Sequence, residues 1–141
     1  MADYLRYDDV EIGWLFPAQP ADFVVTDEVV SKFCAATADG SGLYEAQDDG
    51  SPRRAPPMMA AIYLIDILKA RGGPPGGVHA KQQLSFHRVI HVGDVLQTQG
   101  RVTDKYIKKE RRYVVAEAET RNQKGQLVAT GVITSIWGRE E

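Results

Sequence analysis

Two side chains in the segment after the first predicted helix can take part in proton chemistry: a carboxylate at Asp39 and a phenol at Tyr44. A carboxylate can donate or accept a proton, and a phenol can donate one or orient a water molecule. Asp39 follows a helical pattern and precedes a glycine, so a role as a turn residue explains it as well. Tyr44 is equally well explained as an aromatic residue in a pocket wall. The residue types alone leave both roles open.

The histidines and the single cysteine give weaker signals. His79 and His87 fall on the polar side of a predicted strand and His91 falls in a turn, so we expect all three to be exposed to solvent. Cys34 is the only cysteine, which excludes an intrachain disulfide and the paired spacing of a zinc site. It lies in a helical pattern without a neighbouring histidine, and we interpret it as a small buried apolar residue. We predict no metal and no redox cofactor.

The start of the second predicted helix combines positive charge with free hydrogen-bond donors. Arg53 and Arg54 precede it, and their side chains can contact the phosphates of a ligand, although solvated loop charge is the default interpretation. The first N–H groups of that helix, at Met58 and Met59, lack partners within the helix and can polarise a carbonyl group. The two methionine side chains can either line an acyl tunnel or fill the core.

The composition places these residues in an ordinary globular domain. The chain has 141 residues, of which 43% are apolar and 26% charged, and a formal net charge of -2. That length suits one core, and the charge gives no general attraction to nucleic acid or anionic membranes. The N-terminus lacks a signal-peptide pattern, and the longest apolar stretch, Ala55 to Leu68, is too short to span a membrane. We expect one domain over residues 1–141, in the cytoplasm, with neither nucleic acid nor membrane as a partner.

The hydrophobic pattern predicts two helices followed by four strands. An N-cap at Thr26, then acidic and apolar residues, indicates a helix from Thr26 to Ala38. Proline in the first turn and glycine after the last indicate a second helix from Pro57 to Arg71, apolar on almost every side. The strands are expected at Val78 to Arg88, Val95 to Val102, Arg112 to Arg121 and Gln126 to Trp137.

The order of these elements predicts the fold class. The first strand alternates apolar and polar residues, which is typical of a sheet with one dry face. Asn122 to Gly125 has the composition of a hairpin turn between the last two strands. A long apolar helix before consecutive antiparallel strands indicates an α+β domain in which a curved antiparallel sheet wraps around the helix. One sheet cannot cover every side of such a helix, so we expect a dimer.

Several stretches of the sequence, in this order and spacing, carry a resemblance to a known family. Val25 to Phe33 leads into Ala36 to Asp39 as a first helix leads into a catalytic loop, and Ala55 to Met58 opens a central helix. Phe86 to Asp94 is similar to a Phe-x-Arg-Pro-Val-x-x-Gly-Asp strand entry, and Asn122 to Gly125 to a final hairpin. Together they resemble the MaoC-like (R)-specific enoyl-CoA hydratases and dehydratases, in their fatty-acid-synthase-like branch. The resemblance implies a hotdog fold.

The resemblance also assigns roles to residues. The family's active loop reads Asp-x-Asn-Pro-x-His, and the matching residues here run from Asp39 to Tyr44, with Ser41 and Gly42 in place of Asn and Pro. It implies an acid or base at Asp39 and an orienting group at Tyr44. A phenol ionises near pH ~10 and is a poor replacement for histidine as a base, whereas a buried Asp39 with a raised pKa would transfer protons at a reduced rate. The substrate-binding residues are expected to be Ser41, Gly42, Arg53, Arg54, Met58 and Met59.

Three functions stay open at this point. The first is reversible hydration of 2-enoyl thioesters to 3-hydroxyacyl thioesters, with coenzyme A or an acyl carrier as part of the substrate. The second is a non-catalytic acyl-binding or stabilising subunit whose partner supplies a complete Asp and His pair. A hotdog thioesterase is the weakest, because the resemblance is to dehydratases and the fold alone does not choose the reaction. The dimer would form with a second copy or with another hotdog domain.

Overall fold

The computed structural model describes residues 3–60, 69 and 71–141 of the chain. The described elements run, in chain order, as a 3-10 turn at Tyr7–Asp9, β1 Leu15–Phe16, β2 Phe23–Val24, α1 Asp27–Ala36, β3 Arg54–Ala55, β4 Val78–Phe86, β5 Ile90–His91, β6 Val95–Lys108, β7 Arg111–Arg121 and β8 Leu127–Ile136.

The main sheet has six strands in the order β1-β6-β7-β8-β4, with β2 also paired to β6. A second, two-stranded pairing joins β3 to β5. Every described strand pair is antiparallel. The structure therefore confirms the predicted α+β class with an antiparallel sheet, in which β4 is an edge strand.

The first helix confirms its prediction within two residues. Thr26 is the N-cap, and its hydroxyl accepts a hydrogen bond of 3.2 Å from the N–H of Val29. Asp27 and Glu28 place negative charge in the first turn, where the helix dipole favours it. Val30 is completely buried and fixes the helix against the core, a burial that contributes about 1.5–3 kcal/mol.

The second predicted helix, from Pro57 to Arg71, lies mostly outside the described residues. Met59 and Ala60 are helical and buried, and Lys69 is helical. The predictions that this helix is continuous and that its apolar residues are buried on almost every side stay predictions. Within the described part of the chain, no helix is long and apolar enough to cross a membrane.

The four predicted strands are confirmed as β4, β6, β7 and β8, with one of them longer than expected. β6 extends to Lys108 because the chain reverses in a tight turn at Lys109 and Glu110, both with positive φ. Type I′ turns usually contain Asn or Gly at such positions, and neither is present here. The two-residue strands β1, β2, β3 and β5 have no clear pattern in the sequence.

The prediction that the first predicted strand, now β4, has one buried face is wrong for the isolated chain. β4 is exposed at eight of its nine positions, with Val78 52% and Phe86 43% exposed, and Leu84 is half-buried. The register against β8 shifts between His79 and Lys81, which interrupts the alternation. An edge strand with two exposed faces leaves its apolar residues available to another surface.

The core consists of two clusters of buried side chains on the described residues. One joins the N-terminal segment to the middle of the sheet: Tyr7, Val10, Phe16, Val102, Val114, Ala116, Ala118, Ile133 and Trp137. The other joins α1 to the start of the second predicted helix and to the sheet: Val25, Val30, Ala55, Met59, Ala60, Ile90, Leu96, Val128 and Ala129. The second cluster supports the candidate site.

Candidate active site

Asp39 is placed by the way α1 ends. Ala38 adopts a left-handed conformation with φ 53°, its N–H bonds to the carbonyl of Ala35, and the N–H of Asp39 bonds to the carbonyl of Cys34 at 2.9 Å. This pair of bonds is a Schellman motif, in which the left-handed position is usually glycine. The helix terminus thus turns the chain sharply and carries Asp39 into the loop as predicted from its position.

The carboxylate of Asp39 is held by Ser41. It accepts bonds from the Ser41 N–H at 3.0 Å and from the Ser41 hydroxyl at 2.7 Å. The backbone bond first, and then the hydroxyl bond, lower the pKa of Asp39 below its ordinary value of 3.8. The prediction that Asp39 has a raised pKa, which would let it transfer protons alone, is therefore wrong. The carboxylate of Asp39 is ionised at neutral pH.

Tyr44 lines a cavity of about 380 Å³ at the end of β4. It is half-buried and packs against the second core cluster. The lining residues are Leu43, Tyr44, Arg54, Ala55, Pro57, Phe86, His87, Arg88, Val89 and Ile90. Leu43 and Val89 are each 56% exposed there, so the wall offers apolar surface to a ligand. Ser41 and Gly42 precede this lining in the loop and are not part of it.

Arg53 and Arg54 are neighbours with different environments. The Nε of Arg53 donates to the carbonyl of Tyr44 at 2.6 Å, and its Nη1 donates to Ser31 Oγ at 3.0 Å and to Asp27 Oδ1 at 3.3 Å. Its side chain is only 16% exposed. Arg54 is exposed and lines the cavity. Arg53 thus supports the loop from within, whereas Arg54 faces the place where a ligand would bind.

His87 joins Tyr44 in the cavity wall, although the sequence pattern does not select it. Its Nε2 lies 3.0 Å from the hydroxyl of Thr130 on β8. The prediction that His79 and His87 are exposed is confirmed, whereas His91 is half-buried where β5 pairs with β3. His87 follows the last residue of β4. It becomes a candidate site residue only because the fold places it in the same cavity wall as Tyr44.

The start of the second predicted helix contributes less than expected. The N–H of Met59 donates to the carbonyl of Pro56 at 3.1 Å, so it is not free to bind a ligand. The Met59 side chain is 1% exposed and belongs to the core, which favours core filling over a tunnel wall. Met58 is 50% exposed beside the cavity residue Pro57. Of the two backbone donors expected here, Met58 stays the candidate.

A larger cavity of about 510 Å³ lies over β6 and β7. Its wall contains polar side chains of both signs, including Glu119 and Arg121, which pair at 3.0 Å. Because these two charges pair with each other, they do not favour a ligand of either charge. The cavity around Tyr44, with an apolar wall and two arginines, is the better candidate site.

The chain matches the family model described as FAS1-like, dehydratase domain region, over residues 11–131. This match includes every residue that lines the Tyr44 cavity. No curated protein sequence matches the chain significantly.

Solved structures with similar folds include hydratases and dehydratases. The R-hydratase PhaJ1 from Pseudomonas aeruginosa has a TM-score of 0.81 and 20% identity, over 97% of this chain and 88% of that one. HadBC, a 3R-hydroxyacyl-ACP dehydratase complex from Mycobacterium tuberculosis, has a TM-score of 0.75 and 22% identity, over 90% and 96%. A MaoC-like dehydratase from Rhodospirillum rubrum has a TM-score of 0.74 and 19% identity, over 98% and 99%.

These likenesses show that the fold is the hotdog fold predicted from the sequence. The family model covers most of the chain, from the segment before β1 to the middle of β8. The chain therefore belongs to the family of FAS1-like dehydratase domain regions.

Proposed function

We propose that this protein adds water reversibly to 2-enoyl thioesters, giving 3-hydroxyacyl thioesters, and that the cavity around Tyr44 is its active site. The observation that carries this proposal is the meeting of a phenol, an imidazole and two guanidinium groups with apolar side chains in one cavity. The apolar wall suits an acyl chain, and the cations of Arg54 and Arg88 suit the phosphates of its carrier. Membership of a dehydratase family supports the same reaction.

His87 is the proposed acid–base residue. Histidine is the side chain most often used for proton transfer near neutral pH. His87 would take a proton from water as the hydroxyl adds to the third carbon of the enoyl chain, and would return a proton to the second carbon. Thr130, within hydrogen-bond distance of its Nε2, would fix the orientation of the ring. Asp39 remains the alternative acid–base group that the family resemblance implies.

Tyr44 and the backbone of Met58 are proposed to position the substrate. The phenol would hold the attacking water or the thioester by a hydrogen bond, which requires no ionisation. The N–H of Met58 would stabilise the negative charge that develops on the thioester oxygen. Since hydration moves only a proton and a hydroxyl, the reaction needs no redox cofactor, and we propose that it uses no metal. A cytoplasmic location stays a prediction.

A supporting subunit is the second candidate, and the state of Asp39 favours it. In this chain the carboxylate of Asp39 is bonded to Ser41 and has a lowered pKa. The resemblance matches the histidine of the family loop to Tyr44. Both features weaken the acid–base pair that the family resemblance implies. One structural neighbour, HadBC, is by its description a complex. This chain would then bind acyl groups or stabilise a catalytic hotdog partner.

Either candidate is proposed to work as a dimer. The edge strand β4 is nine residues long, is exposed on both faces and has only β8 as its partner among the described strands. Such an edge pairs readily with a second strand. Sedimentation at micromolar concentration is expected to show a dimer of this chain, or a monomer that dimerises when a hotdog partner is added. A monomer under both conditions would contradict this part of the proposal.

Hydration assays test the main proposal directly. The purified protein is assayed with crotonyl-CoA and with longer enoyl-CoAs, with and without a hotdog partner that has a complete Asp and His pair. His87→Gln is expected to lower the rate by about 10²–10⁴-fold, and Tyr44→Phe by less. Tyr44→His, which restores part of the family loop, is expected to raise the rate.

The same assays separate the alternatives. If Asp39→Asn lowers the rate by about 10²–10⁴-fold while His87→Gln does not, Asp39 is the acid–base group. If the wild type hydrates no enoyl-CoA but extends the stability or chain-length range of its partner, it is a supporting subunit. A wild-type activity that survives both substitutions would contradict the site.

A further inference from the structure

The guanidinium group of Arg53 connects separate parts of the fold beside the Tyr44 cavity. Its Nε donates to the carbonyl of Tyr44 at 2.6 Å, and its Nη1 donates to Ser31 Oγ at 3.0 Å and to Asp27 Oδ1 at 3.3 Å. Asp27 and Ser31 are four residues apart in α1, so they lie on the same face of that helix. Arg53 therefore joins the loop of residues 40–53 to the first two turns of α1.

The backbone of Arg53 is held as well. Its carbonyl accepts a hydrogen bond of 2.8 Å from the N–H of Val92, and the next two residues form β3, which pairs with β5. Neighbouring residues of an extended chain point to opposite sides. Accordingly, the Arg53 side chain is only 16% exposed, whereas Arg54 is exposed and lines the cavity. One short segment thus supplies an arginine that bonds to the loop and an arginine that faces a ligand.

Other bonds hold the loop around Tyr44 only weakly. Among the described residues, the backbone hydrogen bonds within residues 40–53 have N···O distances of 3.5 Å and 3.4 Å, which are long. The bond from Arg53 to the Tyr44 carbonyl is much shorter, and its donor is charged, which strengthens it. Arg53 is therefore the main constraint on the backbone of Tyr44.

The ring of Tyr44 is held by different contacts. It is half-buried and packs against the second core cluster, as do Val29 and Phe33 of α1. Arg53 bonds on its other side to that same helix. Because its carbonyl and its ring are both fixed relative to α1, the Tyr44 side chain has a defined place in the cavity wall.

We propose that Arg53 is a positioning residue of the candidate active site, which sets the rate of hydration by holding the phenol of Tyr44 in place. Arg53 does not line the cavity, so it acts through Tyr44 rather than through a contact with substrate. A displacement of about 1 Å at a positioned group can cost up to about 10²-fold in rate. This inference rests on the proposed function, in which Tyr44 holds the attacking water or the thioester.

A double-mutant cycle tests whether Arg53 acts through Tyr44. Arg53→Gln alone is expected to lower kcat/KM for crotonyl-CoA by about tenfold. In a Tyr44→Phe background it is expected to lower kcat/KM by less than about twofold, because the hydroxyl that Arg53 positions is then missing. Phenylalanine keeps the backbone carbonyl, so the bond to Arg53 is still made. Rates are compared per folded molecule, with the folded fraction measured by circular dichroism.

Two further variants complete the comparison. Arg53→Lys keeps the charge but lacks the fork that reaches several acceptors at once. It is expected to give an intermediate loss, and it replaces Arg53→Gln if that variant does not fold. Arg121→Gln is the matched control, because Arg121 also donates to a carbonyl, of Gly125 at 3.1 Å, and to a carboxylate, of Glu119 at 3.0 Å. Arg121 does not line the Tyr44 cavity, and its replacement is expected to leave kcat/KM unchanged.

The ring of Tyr44 gives a readout that requires no activity. Tyrosine labelled with ¹³C at the ring carbon that bears the hydroxyl gives NMR signals for the six tyrosines, and Tyr44→Phe identifies the signal of Tyr44. Arg53→Gln is expected to shift or broaden that signal, whereas Arg121→Gln is not. The signals of Tyr106 and Tyr113, whose rings stack 4.8 Å apart, are expected to stay unchanged in Arg53→Gln.

Two results would overturn the proposal. One is an active wild type in which Arg53→Gln leaves kcat/KM unchanged, or lowers it by the same factor with and without the Tyr44 hydroxyl. The other is a Tyr44 ring signal that Arg53→Gln leaves unchanged. If the wild type hydrates no enoyl-CoA, the proposed function fails, and the ring signal still decides whether Arg53 positions Tyr44.

Discussion

The sheet and the loop beside the candidate active site are held together by different kinds of bonds. β6 and β7 pair along almost their whole length through backbone hydrogen bonds, and buried residues of both strands belong to the first core cluster. Residues 40–53 are assigned to no helix or strand and are mostly exposed. This loop is held by single side chains: Ser41 on Asp39, Ser51 on Asp49, and Arg53 on the carbonyl of Tyr44.

The difference shows where the chemistry of this domain can change. A residue in the sheet is constrained by its neighbours on both sides and by the core beneath it. A residue in the loop is constrained by one or two hydrogen bonds, so a substitution there changes the site with little effect on the fold. Tyr44, which the family resemblance matches to a histidine, lies in this loop. Substitutions in the sheet should therefore lower the stability of the fold, whereas substitutions in the loop should mainly change the site.

The largest effect on stability is expected in the sheet, at Gly100. A side chain there would begin 2.6 Å from the Phe16 ring, which pairs with it across β1 and β6 and is 2% exposed. Because the ring has no room to move in the core, Gly100→Ala is expected to cost about 1–3 kcal/mol in urea denaturation. In the loop, Gly40 has open space at the same atom, and Gly40→Ala is the control, expected to change stability by less than about 0.5 kcal/mol. Equal losses in the two variants would contradict the comparison.

The next effect is expected at the two neighbouring arginines. Arg53→Gln removes the bonds to Tyr44, Asp27 and Ser31, and is expected to cost about 1–2 kcal/mol and to accelerate proteolysis within the loop. Arg54→Gln is the matched control, because Arg54 is exposed and makes no comparable bonds among the described residues. It is expected to leave stability unchanged and to raise KM for an enoyl thioester. A stability loss for Arg54→Gln with none for Arg53→Gln would reverse the assignment.

The sequence predicted the sheet better than the site for a physical reason. Alternating patterns report which face of a strand is buried, and β6, β7 and β8 follow them because each lies between two partners. β4 also has an alternating pattern, yet it is exposed in the isolated chain. An alternating pattern indicates that one face can be buried, but it does not identify the surface that covers that face. The turn at Lys109 and Glu110 was missed because its conformation is imposed by the two strands rather than by its residue types.

The site depends on distances that the sequence does not contain. Loop order predicted the position of Tyr44, and the resemblance indicated its importance. His87 lies 43 residues away from both Tyr44 and its own partner Thr130, and no local pattern connects them. Arg53 and Arg54 look alike in the sequence, and only their contacts separate support of the loop from exposure to the cavity. The lowered pKa of Asp39 likewise depends on a hydrogen bond that residue types do not specify.

A smaller effect of opposite sign is expected at the end of α1. Ala38 holds a left-handed conformation that costs an L residue about 1 kcal/mol or more, whereas glycine adopts it freely. Glycine also has a more flexible unfolded state, which removes part of the gain. Ala38→Gly is therefore expected to stabilise the protein by about 0.5 kcal/mol in thermal unfolding. Ala36→Gly, at the last helical residue, is the control and should destabilise the protein by up to about 0.5 kcal/mol.

The smallest effect is expected at Ser41, and it bears directly on the chemistry. Ser41→Ala removes the hydroxyl bond to Asp39 and keeps the backbone bond, so the pKa of Asp39 should rise part of the way towards 3.8. A lowered native pKa stabilises the fold above the unfolded pKa, and this contribution is lost as pH falls through the native pKa. The stability difference between wild type and Ser41→Ala should therefore be present at neutral pH and disappear in acid.

Ser51→Ala is the matched control, because Ser51 lowers the pKa of Asp49 through the same two kinds of hydrogen bond. Carboxyl titration by NMR should show each substitution shifting only its own aspartate. If Asp39 accepts a proton from water in hydration, Ser41→Ala should move the acid limb of the rate profile to higher pH and Ser51→Ala should not. An unmoved acid limb in both variants would contradict a role for Asp39 as the base of the reaction.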